Sequence, residues 1–349
     1  MARGEACDSL ARLNHPLTIS GGGLAGLSLA IALRRRGTAV TVIEAGAYPR
    51  HRVCGEFISG VSGGTLDALG IHDGFRDARL HRSVAWHHQG RLILSDALAE
   101  PAYGLSRHVL DQRLADRFLA LGGTLITGTR SCPAAAPGHV WTAGRRTAQG
   151  RWIGLKIHAR LETRADLEMH AGSNGYAGLA RVEDGWTNVC GLFLLDKTIE
   201  SKGNGLLPAY LEAGGNHRLA AGLRAAVCRE GSFQAVAGFE PGRQPGIPGV
   251  FCLGDSAEMI PPFTGNGMSM AFQSAEAAVA PLADWAAGRL SWQEVCGRVR
   301  GELRRRFRRR MAVSLMVHPW LFRASGRAVI ESLAAPGLLP FRPLVSLVR

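Results

Sequence analysis

Short apolar runs punctuate both ends of the chain, and the middle is a succession of strand-like segments. Leu17 to Ile19 predicts a buried strand, Leu24 to Arg36 a helix, and Ala39 to Ile43 a second strand. Continuous apolar runs of this length, bounded by turn residues, suit strands covered on both faces. His139-Val140-Trp141-Thr142 and Val250-Phe251-Cys252-Leu253 predict two more, and the alanine-rich stretch Ser269 to Ala280 predicts a helix. Between these pieces, Ser83 to His88 and Arg91 to Leu94 flank Gln89-Gly90, which reads as a hairpin turn. Trp152 to His158, Leu167 to His170, Tyr176 to Val182 and Thr187 to Phe193 continue as strands, with Glu183 to Trp186 as the last turn. Ser291 to Arg349 reads as helices. The pattern predicts an α/β protein in which an antiparallel sheet packs beside a core of strands alternating with helices.

The chemistry begins between the first strand and the first helix. Gly21, Gly23 and Gly26 have the spacing G-x-G-x-x-G, and the second strand ends on Glu44, 21 residues after Gly23. Gly21 permits the tight turn, Gly23 lets the backbone approach a pyrophosphate, and Gly26 lets helix and strand pack closely. The amides at Leu24 and Ala25, where the helix starts, face the phosphates with the helix dipole behind them. Glu44 can accept hydrogen bonds from an adenosine ribose, and Ala45 follows it along the same edge. A second polar site is predicted where Val250 to Leu253 runs into Gly254-Asp255 and then Pro261-Pro262-Phe263-Thr264-Gly265-Asn266-Gly267-Met268. Asp255 can hold ribityl hydroxyls. Amides from Gly265 to Met268 can face the electron-rich pyrimidine edge of a flavin. Read alone, Gly254-Asp255 is also an ordinary turn.

Paired with the glycine fingerprint, that second site resembles the third FAD motif of the p-hydroxybenzoate hydroxylase-like flavoproteins. Two further stretches are similar to the same superfamily: Pro49-Arg50-His51-Arg52-Val53-Cys54-Gly55-Glu56-Phe57, and Gly104-Leu105-Ser106-Arg107-His108-Val109-Leu110-Asp111. The superfamily includes aromatic hydroxylases, geranylgeranyl reductases and flavin-dependent halogenases. The resemblance implies a Rossmann-like FAD-binding domain in three pieces (14–72, 104–150 and 247–285), a substrate-binding sheet (73–103 and 151–246) and a C-terminal helical region (286–349). It also implies flavin contacts from Arg52, Cys54, Gly55 and Arg107. One departure concerns the electron donor. Members that oxygenate their substrates usually carry Asp-Gly after a mid-chain strand, and here Ala143-Gly144-Arg145-Arg146 stands in that place. NAD(P)H is the expected donor, with a separate reductase as the alternative.

The leading expectation is an FAD-dependent monooxygenase acting on an aromatic, polyketide-like or lipophilic small molecule of secondary metabolism. The alternatives are a reductase of isoprenoid double bonds, a halogenase using a lysine (Lys156 being the candidate), and a flavin-binding homologue without turnover. Trp86, His88, Leu155, Ile157, Met169, Tyr176, Cys190, Leu192 and Phe193 are candidates for the inward face of the sheet, though each reads equally as sheet core. His51, His88, His158 and His170 could titrate near neutrality. No spacing singles out a catalytic base, so the catalytic residues are left unassigned.

Composition narrows the rest. The 349 residues carry a net charge of +13. Lys156, Lys197 and Lys202 are the only lysines, so the excess is arginine, and no nucleic-acid module accompanies it. Nucleic acid is therefore not an expected partner. The seven cysteines (Cys7, Cys54, Cys132, Cys190, Cys228, Cys252 and Cys296) form no C-x-x-C pair, which argues against a disulfide framework and a zinc site. Cys54 reads either as a chemical participant beside the flavin or as a packing and backbone contact. No apolar run reaches 18 residues and the first sixteen lack a signal-peptide core, so the cytoplasm is the expected location. The arginine run Arg304 to Arg310, followed by apolar helix, also allows peripheral docking on an anionic membrane. A solvated helix packed on the flavin domain fits the same residues.

Overall fold

The computed structural model describes residues 15–145, 150–244, 246–334, 342, 343 and 347. Cys7, Arg146 and most of the stretch from Leu338 to Arg349 lie outside them. Five strands form a parallel sheet in the order Phe251–Cys252, His139–Trp141, Leu17–Ser20, Val40–Ile43, Thr124–Ile126. Leu17, Ile19, Val42 and Val140 have no exposed surface, because they share the face on which the helices pack, whereas Thr18, Thr41, Ile43, His139 and Trp141 on the other face are only half-buried. Leu24–Arg34 lies against Gly267–Ala286 and Arg107–Ala120 in the same core. Ser106 caps Arg107–Ala120 by accepting from the Val109 amide, and its own amide and hydroxyl donate to Glu183 at the far turn of the second sheet. The Ser-Arg stretch therefore fastens one layer to the other.

That second sheet has eight strands and is mixed. Six of its pairings are antiparallel, but Arg79–His88 runs parallel to Leu167–Ala171. The expected wholly antiparallel sheet is corrected here for a topological reason. After Arg91–Gly104 the chain leaves to build Arg107–Ala120 and two parallel strands, and it returns without a hairpin to fix the direction. The hairpin at Gln89-Gly90 is present, with both residues at positive φ (48° and 82°), as a right-twisted two-residue turn requires. Phe57–Ile58 adds a short edge strand to this sheet.

Two helices, Leu206–Ala213 and His217–Ala225, lie under the mixed sheet. They bury Leu155, Ile157, Ala177, Leu179, Val189 and Phe193 against Leu207, Tyr210, Leu211 and Leu223. Leu155, Ile157 and Phe193, expected to face the substrate, instead belong to this outer core. Once the covering helices fix which face is which, strand alternation sends these residues away from the nucleotide layer. On the other side, Trp292–Phe322 starts from a complete capping box (Ser291 with Glu294) and runs past both layers, followed by Ala324–Ala334. The six described cysteines other than Cys7 are free. Among the described residues, no helix is long and apolar enough to cross a membrane.

Candidate functional site

A single cavity of about 1530 Å³ runs between the parallel sheet and the mixed sheet. Gly21, Gly23, Leu24, Ala25, Glu44, Ala45, Arg52, Cys54, Gly55, Arg107, Asp255, Gly265, Gly267 and Met268 all line it. Gly26, the remaining candidate, lies behind the wall. A Cβ there would meet the Gly21 carbonyl oxygen at 1.9 Å, so its part is to let the first helix close on the first strand. A Cβ on Gly23 would meet nothing nearer than Arg107 Nη2 at 3.9 Å, which leaves its cavity face open to a ligand.

Two long helices begin at this cavity without a side-chain cap: Leu24–Arg34 from Gly23, and Gly267–Ala286 from Asn266. Their first amides lack intrahelical acceptors and carry the positive ends of the helix dipoles. That is the donor set that a pyrophosphate and an electron-rich ring edge require. Asp255 sits between the two, where burial pushes its carboxyl up to about 6 against the pull of Arg107 and Arg145. The residues present thus fit FAD from adenosine to ring edge.

Glu44 is nearly saturated in this arrangement. Its oxygens accept from the Gly22 amide (2.8 Å), the Gly46 amide (3.0 Å), Arg50 (2.6 Å) and Arg52 (3.5 Å). Burial alone would raise its carboxyl, but Arg52, Arg50 and the two amides outweigh it and hold the group below the ordinary carboxylate value. A carboxylate offers about four acceptor positions. A ribose hydroxyl therefore reaches Glu44 by displacing Arg50 or Arg52, whose side chains keep 30% and 27% of their surface exposed. Arg52 also donates to Asp111 (3.0 Å), which Arg107 grips through two bonds of 2.7 and 2.8 Å. Asp111, wholly buried, thereby aims two arginines along one wall.

Beside Cys54 lies a cluster that sequence reasoning did not assemble. Glu56 sits at φ 53°, a left-handed backbone that costs a residue with a Cβ about 1–2 kcal/mol. The turn sends its carboxylate inward, where it accepts from the Arg107 amide (2.9 Å), His158 Nε2 (2.6 Å) and Lys156 Nζ (3.2 Å). Burial would raise the Glu56 carboxyl, but Lys156 and His158 hold it down at about 2. Lys156 Nζ also lies 3.0 Å from His51 Nδ1. An ammonium only donates, so His51 Nδ1 accepts and its proton is on Nε2. Burial and Lys156 push His51 down to about 3, which keeps the ring neutral. His51 stacks on His108 (4.5 Å between centroids) and lines the cavity as a donor, not as a base. Burial likewise pushes the Cys54 thiol up against the pull of Arg107, and its carbonyl accepts from Asn188. A protonated thiol with its backbone so engaged favours the packing reading of Cys54.

The register of the mixed sheet sets the opposite wall. Trp86, Met169, Gly178, Cys190, Lys156 and Gln234 stand side by side across neighbouring strands. All of them line the cavity except Lys156, whose Nζ turns to Glu56 and His51. Tyr176 and Leu192 line it one step along, and Val313, Val317, Leu321 and Ile330 close it from the C-terminal helices. Of the other expected wall residues, His88 lies outside it, ion-paired with Glu331. Among the described residues two groups bring metal-capable atoms within 4.8 Å of one another. In His51, Glu56 and His158 the Lys156 ammonium already supplies the positive charge, and in His87, Glu168 and His170 the two rings stack nearly parallel (8°) with His170 Nε2 2.9 Å from Glu168.

Residues 16–72 match the pyridine nucleotide-disulphide oxidoreductase family. No curated protein matches the sequence. Solved structures share the fold over nearly the whole chain. Pseudomonas aeruginosa PqsL, in complex with 2-aminobenzoylacetate, is 16% identical with TM-score 0.70, over 91% of this chain and 100% of that one. The p-nitrophenol 4-monooxygenase PnpA of Pseudomonas putida DLL-E4 is 14% identical with TM-score 0.74, over 96% and 97%. The flavin-dependent brominase Bmp2 is 16% identical with TM-score 0.70, over 95% and 92%. The glycine fingerprint, the parallel sheet it opens and the mixed sheet across the cavity give this chain the fold that these three solved structures share.

Proposed function

We propose that the protein is an FAD-dependent monooxygenase acting on an aromatic or lipophilic small molecule. The observation that carries the reading is one continuous cavity with two unlike ends. A polar cradle at Gly21–Ala25, Glu44, Arg107 and Asp255 opens directly onto a wall of Trp86, Met169, Tyr176, Leu192, Phe239 and Phe263. Single-ligand sites run to about 300–1,000 Å³, so 1530 Å³ leaves room for a dinucleotide and a second apolar molecule. Bound FAD would supply the two-electron chemistry and the activation of dioxygen. The chain's own residues then bind, orient and exclude water. The amides at Gly23 to Ala25 and around Gly267 hold the anionic and electron-rich parts, Asp255 holds hydroxyls, and the apolar wall keeps the reacting region dry. The assigned cofactor contacts and the three-part division of the chain belong to this same proposal.

The halogenase alternative is weakened by Lys156, whose ammonium is committed to Glu56 and His51 with no surface exposed. The position that usually carries aspartate is Ala143, and the neighbouring Arg145 donates to the carbonyls of Ala237 and Gly238. NAD(P)H remains the proposed donor, with a separate reductase as the alternative. Secondary metabolism as the setting rests on the apolar wall alone. The test is oxygen uptake by the FAD-loaded protein with a chemical reductant, across a panel of phenols, anilines and prenyl compounds. Substrate-stimulated uptake with a hydroxylated product is expected. Saturation of a prenyl double bond without oxygen use would replace the reading with the reductase.

A further inference from the structure

Trp292–Phe322 carries two unlike faces along its second half. Phe307, Met311, Ser314, His318 and Leu321 are buried toward the body of the protein, and Val313, Val317 and Leu321 line the cavity. On the opposite side, Arg305, Arg308, Arg309, Ala312, Met316 and Trp320 recur at helical spacing, and all are exposed. Met316 keeps 65% of its surface and Trp320 50%, and Val329 (45%) and Leu333 (38%) are exposed on the next helix. Single exposed apolar residues are ordinary. Met316 and Trp320 are not single: they share one helix face with an arginine stripe, on a helix whose other side lines the cavity. Arg305 pairs with Glu302, whereas Arg304, Arg308 and Arg309 have no ion-pair partner among the described residues. The stripe therefore carries uncompensated positive charge beside its apolar end.

We infer that this face docks the protein on an anionic lipid surface, with Met316, Trp320, Val329 and Leu333 at the acyl boundary and the arginines on the headgroups. A cationic stripe in line with tryptophan and aliphatic side chains is the composition of an interfacial helix. An acidic protein partner would also match the arginines and cover the apolar residues; binding to protein-free anionic vesicles separates the two. Docking by this face sets Val313, Val317 and Leu321, the inner side of the same helix, between the lipid and the cavity. A lipophilic substrate then reaches the cavity without crossing water. The inference is independent of the proposed reaction, because none of the docking side chains lines the cavity.

The test is flotation of the FAD-loaded protein with vesicles of phosphatidylcholine alone and of phosphatidylcholine with phosphatidylglycerol. Binding to the anionic vesicles, reversed by salt and absent from the neutral ones, is expected. The pair Arg308→Glu and Arg309→Glu should weaken binding at least about tenfold. Met316→Ser with Trp320→Ser should also release the protein, and both variants should keep wild-type flavin content and folding. Failure of the wild-type protein to float with either vesicle would overturn the inference. So would sedimentation showing a dimer that Trp320→Ser dissolves, since a second copy would then cover the face.

Discussion

Lys156 Nζ lies 3.0 Å from His51 Nδ1 and 3.2 Å from Glu56 Oε1, with no surface of its own exposed. The lysine is therefore the centre of a buried charge cluster and not a group presented to substrate. Replacing it by Met leaves the Glu56 carboxylate buried with one counter-charge fewer. Breaking a buried pair from one side costs about 3–5 kcal/mol. Lys156→Met should accordingly lower the unfolding free energy measured in urea by that much, with flavin lost as the fold weakens. A variant as stable as wild type would show that the pair contributes nothing. Loss of turnover in this variant would not by itself point to a halogenase, because it would follow from instability.

The same cluster sets an acid limit on stability. His51 is held at about 3 in the fold against 6.5 in the unfolded chain, so the unfolded state takes up its proton first and stability falls as pH drops from 6.5 toward 3. Glu56, at about 2 against 4.5, adds stability that is complete above 4.5 and lost as pH falls toward 2. Both signs agree. The urea midpoint should be unaffected by these two groups above neutrality, decline below pH 6.5 and steepen below 4.5. His51→Gln should reduce the first part of that decline without abolishing it, because burial also holds His81, His87, His108 and His318 below their ordinary value. A midpoint that rises on acidification through this window would contradict the assigned protonation states.

Gly23 and Gly26 separate folding from binding. Gly26→Ala drives a Cβ into the Gly21 carbonyl, where only backbone could yield, so the protein should fail to accumulate in folded form. Gly23→Ala meets open space and should fold with a wild-type circular dichroism spectrum while losing most of its FAD. Full flavin content in folded Gly23→Ala would move the phosphates away from this turn.

Glu44→Ala and Asp255→Ala should each lower the flavin-to-protein ratio after gel filtration. Asp255→Asn should retain more than Asp255→Ala, because an amide keeps an acceptor oxygen in place of the carboxyl whose charge burial disfavours. Equal flavin content in Glu44→Ala, Asp255→Ala and wild type would sink the cofactor assignment.

How far the sequence could be read depended on the distance between interacting residues. The glycine turn and the Gln89-Gly90 hairpin are local, and each is present where its residue pattern predicts. Glu56, Lys156, His158 and His51 come from segments about a hundred positions apart, and only the register of Trp152–Ala159 beside Cys54 brings them together. The sole local sign was an ionisable pair, Lys156 and His158, on alternate positions of an otherwise apolar strand. Of the inward-face candidates, Leu155, Ile157 and Phe193 lie in the sheet core instead, because alternation gives two faces without saying which is inward. The helical periodicity of Leu206–Ala213 and His217–Ala225 would have decided it. The parallel pairing of Arg79–His88 with Leu167–Ala171 leaves no trace in either strand.

The most direct measurement is the visible spectrum of the purified protein after reconstitution with FAD and gel filtration, followed by anaerobic titration with NADPH and NADH and then by air. The expected result is one flavin per chain, bleached by a donor and restored by oxygen. A protein that leaves the column colourless, while Gly23→Ala and wild type share one circular dichroism spectrum, would mean that this cavity does not hold FAD.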